Sequence, residues 1–150
     1  MKREQNGHIT AFYFETLLLI TVFIAIILVL TQVFGLAQTQ SAKARRLTDA
    51  VALAGNAAEA VSASTTEEEL VQLLNENENA EYLPDGGVCV FYGNNLDPKP
   101  DGIYRVEISW TPDPGSAGTM VHSEIQVWFG NAEEPVYRLE TQSFHQGVSA

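Results

Sequence analysis

A single cysteine in 150 residues, Cys89, excludes an intramolecular disulfide. It stands in the apolar run Val88–Tyr92, where a small buried residue is expected rather than a nucleophile. Basic residues are scarce beyond the first third of the chain. Over residues 47–150, 17 Asp and Glu face only Lys99, Arg105 and Arg138, a formal balance of −14. Such a surface repels nucleic acid and anionic headgroups, so no direct nucleic-acid binding is expected of it. Signatures of chemistry are also missing. His8, His122 and His145 lie far apart, none at metal-ligand spacing with another His or Cys. There is no glycine-rich phosphate loop, Gly-x-Ser-x-Gly elbow or zinc-protease helix. Asp97 and Asp101 flank Pro98-Lys99-Pro100 but lack the oxygen ladder of a calcium loop, and they read as a solvated turn. Tyr104, Trp110 and Trp128 read as core or sheet-face packing rather than as a sugar platform. No catalytic residue, metal site or cofactor follows from the sequence, and a non-enzymatic role is expected.

What the chain does have is one long apolar run. Residues 16–30 read TLLLITVFIAIILVL, and Glu15 and Lys43 bracket 27 residues without a charge. About 20 apolar residues cross a bilayer core as a helix, so a single membrane span is expected. Three readings fit residues 1–42: a cleaved secretory signal ending near Gly35-Leu36-Ala37, an uncleaved signal anchor, and a prepilin-type signal. Lys2, Arg3 and the initiating amine favour a cytoplasmic N-terminus, against Lys43, Arg45 and Arg46 behind the span. The expected orientation is N-terminus in the cytoplasm and C-terminal domain outside, in the cell membrane.

The stretch Ala11-Phe12-Tyr13-Phe14-Glu15-Thr16-Leu17-Leu18-Leu19 resembles the start of type IV pilins and pseudopilins. That family joins a short basic leader to an apolar helix with glutamate at its fifth mature position. With Ala11 as the first mature residue, Glu15 falls on that position. The resemblance implies processing by a prepilin peptidase between Thr10 and Ala11, with Thr10 standing where the family carries glycine. It also implies that Glu15 pairs with the N-terminal amine of a neighbouring subunit and sets the register of assembly. A carboxylate at the edge of a bilayer core needs a partner or access to the interface, and snorkelling beside Tyr13 is the other reading of Glu15. Phe12, Phe14, Leu17, Leu18, Leu19, Ile20, Phe23, Ile26, Ile27 and Leu30 are the expected membrane-facing and assembly positions.

Helix formers continue past the span. Residues 37–64 are rich in alanine and contain no proline. Ala37, Ala44, Leu47, Val51, Ala54, Ala58 and Val61 recur at spacings of three, four or seven, an amphipathic stripe for packing on a sheet or a sister helix. Leu47, Val51, Ala54, Ala58 and Val61 are the expected helix–sheet contacts, with Asp49, Asn56 and Glu59 elsewhere. A second helix over 67–75 is announced by overlapping capping boxes at Ser64-Thr65-Thr66 and should bury Leu70, Leu73 and Leu74. Strands are expected at Val88–Tyr92, 103–111, 120–129 and 136–144 from their period-two patterning. Turns are expected at 84–87, 97–102, 112–118 and 130–135.

The expected organisation is a basic leader (1–10), a transmembrane helix (11–36), its amphipathic continuation (37–64) and an extracytoplasmic domain (65–150). The fold class is α+β, a long N-terminal helix packed on an antiparallel meander of about four strands. The resemblance implies a structural subunit of an envelope filament, as in type IV pili, type II secretion or DNA uptake in competence. Its partners would be the membrane and other pilin-like subunits met through the N-terminal helix. The alternative is a signal-anchored extracytoplasmic binding or accessory domain that does not polymerise.

Overall fold

The computed structural model describes the backbone of residues 2–146 and the side chains of residues 11–146. The chain divides into two compact units, Met1–Lys43 and Ala44–Ala150. Over its described residues the first is helix alone, the early part of α1 (Lys2–Ala63). Helix therefore extends back through residues 2–10, the expected leader, and Thr10 and Ala11 lie on helical backbone. The side chain of Thr10 falls outside the described residues.

The second unit holds the end of α1, a short helix α2 (Glu67–Leu74) and an antiparallel sheet. The strands are β1 (Ala80–Tyr82), β2 (Val88–Tyr92), β3 (Tyr104–Ile108), β4 (Thr111–Gly115), β5 (Gly118–Phe129) and β6 (Tyr137–Gln146). Four were expected and six are present among the described residues. β1 pairs with β2, β2 with β3, and β5 with β6. β3 and β4 share the remaining edge of β5, and one register serves both, since Ile108 faces Ile125 and Thr111 faces His122. They amount to a single strand interrupted at Ser109 and Trp110, so the expected meander is observed. At the interruption Ser109 N donates to the Glu124 carbonyl at 2.9 Å, while Glu124 N donates to Ser109 Oγ at 2.7 Å. The hydroxyl takes the place of the Ser109 carbonyl in the ladder. β4 corrects the turn expected at 112–118. Pro112 and Pro114 suggested a loop, yet they pair with β5 from an outer edge, where a missing N–H is tolerated.

One face of the sheet carries the core. Val88, Val90, Tyr104, Val106, Ile108, Ile125 and Val127 pack in one cluster with Ala50, Leu53, Ala54, Ala57 and Val61 of α1 and Leu70 and Leu74 of α2. Part of the expected α1 contact is corrected here. Ala54 and Val61 are buried and Ala58 is half-buried, but Leu47 and Val51 are 47% and 44% exposed. The buried line runs instead through Ala50, Leu53/Ala54, Ala57 and Val61. Val51 lies about 100° around the helix from Ala50 and so misses the sheet. Alanine is favoured on the inner line because a bare methyl lets the helix backbone approach the strands closely.

α2 begins as its capping residues predict. Glu69 N donates to Thr66 Oγ1 at 3.3 Å, and Thr65 N donates to Glu69 Oε2 at 2.7 Å. Leu70 and Leu74, four apart, are buried, whereas Leu73 is exposed, contrary to expectation. Glu67 Oε1 accepts from Gly87 N at 2.7 Å and ties the helix to the turn before β2. The fully buried Asn79 donates from Nδ2 to the Phe91 carbonyl at 3.0 Å and accepts from Glu76 N at 3.1 Å through Oδ1.

Candidate anchor helix and sheet surfaces

α1 from Ala11 onward is long and apolar enough to cross a membrane. None of its apolar window is buried within the chain. Phe12, Phe14, Leu17, Leu18, Leu19, Ile20, Phe23, Ile26, Ile27 and Leu30 are all exposed. The hydroxyls along the run are satisfied internally. Thr16, Thr21 and Thr31 donate to the carbonyls of Phe12, Leu17 and Ile27 at 2.9, 2.8 and 2.9 Å. An unsatisfied hydroxyl is costly in hydrocarbon, so this back-bonding lets threonine sit in an apolar helix. Glu15 is exposed one turn from Phe12, and among the described residues no group bonds its carboxylate. The small side chain of Ala25 leaves a shallow apolar groove of about 330 Å³ between Val22, Ile26, Val29 and Leu30.

The second unit clasps its part of α1 to the sheet with a polar link that residue pattern alone did not reveal. Tyr104, 1% exposed, donates its hydroxyl to Asp49 Oδ2 at 3.0 Å. Burial, then the bond to Asp49 and its charge, push the Tyr104 phenol up to about 12. Arg45 Nε stands 4.0 Å from the same carboxylate oxygen, and the Arg46 guanidinium lies 4.2 Å from the centre of the Phe129 ring. Phe129 in turn meets Tyr104 edge-on at 5.0 Å. Asp49 was expected off the packed face. Its spacing of four from Leu53 was the available signal that it flanks that face.

The opposite sheet face is polar. Arg105 Nε sits 3.2 Å from Glu107 Oε1, near enough to pair but not aligned as a hydrogen bond. Its guanidinium lies 5.0 Å from the centre of the Trp128 ring. The three aromatic residues considered for a sugar platform are dispersed: Tyr104 in the core, Trp110 at the core margin, and Trp128 on the outer face. Trp110 stacks on His145 at 6.5 Å. Cys89 is buried, and burial pushes its thiol up to about 11, with Glu107 adding to the shift. That environment suppresses the thiolate a nucleophile needs. Lys99 Nζ pairs with Asp101 Oδ1 at 3.4 Å in the exposed loop. Among the described residues no three His, Cys, Asp or Glu side chains converge as a metal site. A groove of about 610 Å³ opens at the β3/β4 break, lined by Ser109, Thr111, His122, Glu124, Glu140 and Gln142 among others.

Comparison with protein families, with curated proteins and with solved structures returns no match to this chain.

Proposed function

We propose that this protein is a membrane-anchored, non-enzymatic subunit of a bacterial envelope assembly, built and held together through α1 in the manner of a pilin or pseudopilin. The supporting observation is the helix itself, whose large apolar side chains at positions 12–36 are all uncovered by the rest of the chain. Lipid covers such a surface in a monomer, and sister helices replace part of the lipid in an assembly. Leu47 and Val51 on the same helix are uncovered as well. Their exposure fits a helix with neighbours other than its own sheet. Glu15 is the polar exception at the start of the run, the position at which pairing with a neighbouring subunit's amine would fix axial register. The sheet unit, which is acidic, would form the outer surface and choose neighbours.

The test is replacement of Glu15 by Ala in the native envelope, with crosslinked multimers as the readout. Incorporation should fall about tenfold or more, in line with the loss of a partnered charge in a low-dielectric setting. The fluorescence of Trp110 and Trp128 should not change. Unaltered incorporation removes Glu15 from the mechanism. A wild-type chain that yields no multimers in the envelope favours the monomeric accessory domain.

A further inference from the structure

The sheet ends, among the described residues, on one long edge without a partner strand. Among the described residues, β6 pairs only with β5, although it runs for ten residues without proline or glycine. The other outer strands are guarded: β1 is three residues long and β4 carries Pro112 and Pro114. The direction of the free groups on β6 follows from its neighbour. Ser109 and Glu124 exchange their bonds across the β3/β4 side of β5, so Glu124 turns its main-chain groups away from β6. Residues 123 and 125 turn theirs toward β6, onto Thr141 and Leu139. By the same alternation, the N–H and C=O groups of Arg138, Glu140, Gln142 and Phe144 face outward.

Charge along this edge is unbalanced in a self-complementary way. Glu140 lies directly across from Glu124, a like-charge neighbour. Arg138 lies across from the neutral Gln126. Among the described residues neither Arg138 nor Glu140 forms an ion pair. We infer that β6 pairs antiparallel with β6 of a second copy of this chain, Leu139 facing Leu139 on the two-fold axis. This register sets Arg138 opposite Glu140 of the second copy, and Glu140 opposite its Arg138. Both pairs use the outward-facing main-chain groups. Each incoming guanidinium meets Glu140, which lies across from Glu124 on the groove that both line. Registers centred on Glu140 or Gln142 would set Glu140 against itself or against Phe144. The contact involves no residue of α1 and so goes beyond the assembly proposed above.

The experiment uses the full chain in detergent micelles, in a Cys89→Ala background with a spin label at Gln142→Cys. In the inferred register residue 142 faces residue 136 of the second copy, so the two labels sit about 20 Å apart along the strands. A dipolar distance near 20 Å is expected. Arg138→Glu and Glu140→Arg, each alone, should reduce the paired fraction about tenfold or more, and the double reversal should restore it. A distance near 5 Å means another register and overturns the inference. A distance unmoved by the single reversals means that the helices alone hold the copies together, and overturns it too. Absence of any distance rejects self-pairing and leaves the edge to an extended segment of another protein.

Discussion

Tyr104 serves the helix–sheet junction both by packing and by a hydrogen bond. Its ring fills the core against Phe129, and its hydroxyl reaches Asp49 at the margin. Ionising it would place a phenolate beside a carboxylate in a poorly hydrated pocket. Its folded pKa of about 12 lies above the ordinary value of 10.0, so the neutral form is favoured by folding. The resulting stability is fully present below pH 10 and is lost as pH rises through 12. Cys89 behaves likewise between its ordinary value of 9.0 and about 11. The two windows overlap, so the Tyr104 contribution is best read in a Cys89→Ala background. There, Tyr104→Phe should cost about 1.5–3 kcal/mol at pH 8, the usual worth of a hydrogen bond to a charged group. It should also flatten the loss of stability between pH 10 and 12, as read by urea midpoints. Parallel pH profiles for the two proteins would mean that the hydroxyl is no part of the alkaline transition.

At the scale of elements, α1 packs on the sheet through three alanines together with Leu53 and Val61. Ala50, Ala54 and Ala57 are buried at 0, 0 and 3% exposure, while Leu47 and Val51 look outward. Ala54→Leu should therefore cost about 1–3 kcal/mol through overpacking, whereas Val51→Ser should stay within about 0.5 kcal/mol. Urea unfolding followed by tryptophan emission measures both, since Trp110 and Trp128 lie outside α1. A larger loss for Val51→Ser would restore the helix face expected from the sequence. That face was misjudged in its phase: the stripe drawn through Leu47, Val51, Ala54, Ala58 and Val61 passes over Ala50, Leu53 and Ala57, which are buried. The elements with strong periodicity were legible: the apolar helix, the capped start of α2, and β2, β3, β5 and β6. β1 is too short to show a period. β4 was hidden because Thr111-Pro112-Asp113-Pro114-Gly115 has turn composition, and only its long partner β5 draws it into the sheet. The Asp49–Tyr104 link joins residues 55 apart, a contact that no local pattern encodes.

On the scale of the whole molecule, an apolar helix and an acidic sheet unit impose opposite solvent demands on one chain. The acidic charge of the sheet unit opposes anionic headgroups, whereas α1, with its large side chains at positions 12–36 uncovered, is compatible with a membrane anchor. Anchoring thus depends on whether residues 11–36 remain in the mature protein, and assembly depends on what stands before Glu15. Pairing of Glu15 with an amine of a neighbouring subunit requires a free N-terminus four residues ahead of it, at Ala11. The intact mass of the protein recovered from its own envelope reads this directly. The expected species begins at Ala11 and is lighter than the 16.4 kDa chain by residues 1–10. A chain of full mass would keep the anchor but remove the amine, leaving Glu15 to the headgroup interface beside Tyr13. A species beginning near Gln38 would be a released domain without its apolar helix, and assembly through α1 would then be ruled out.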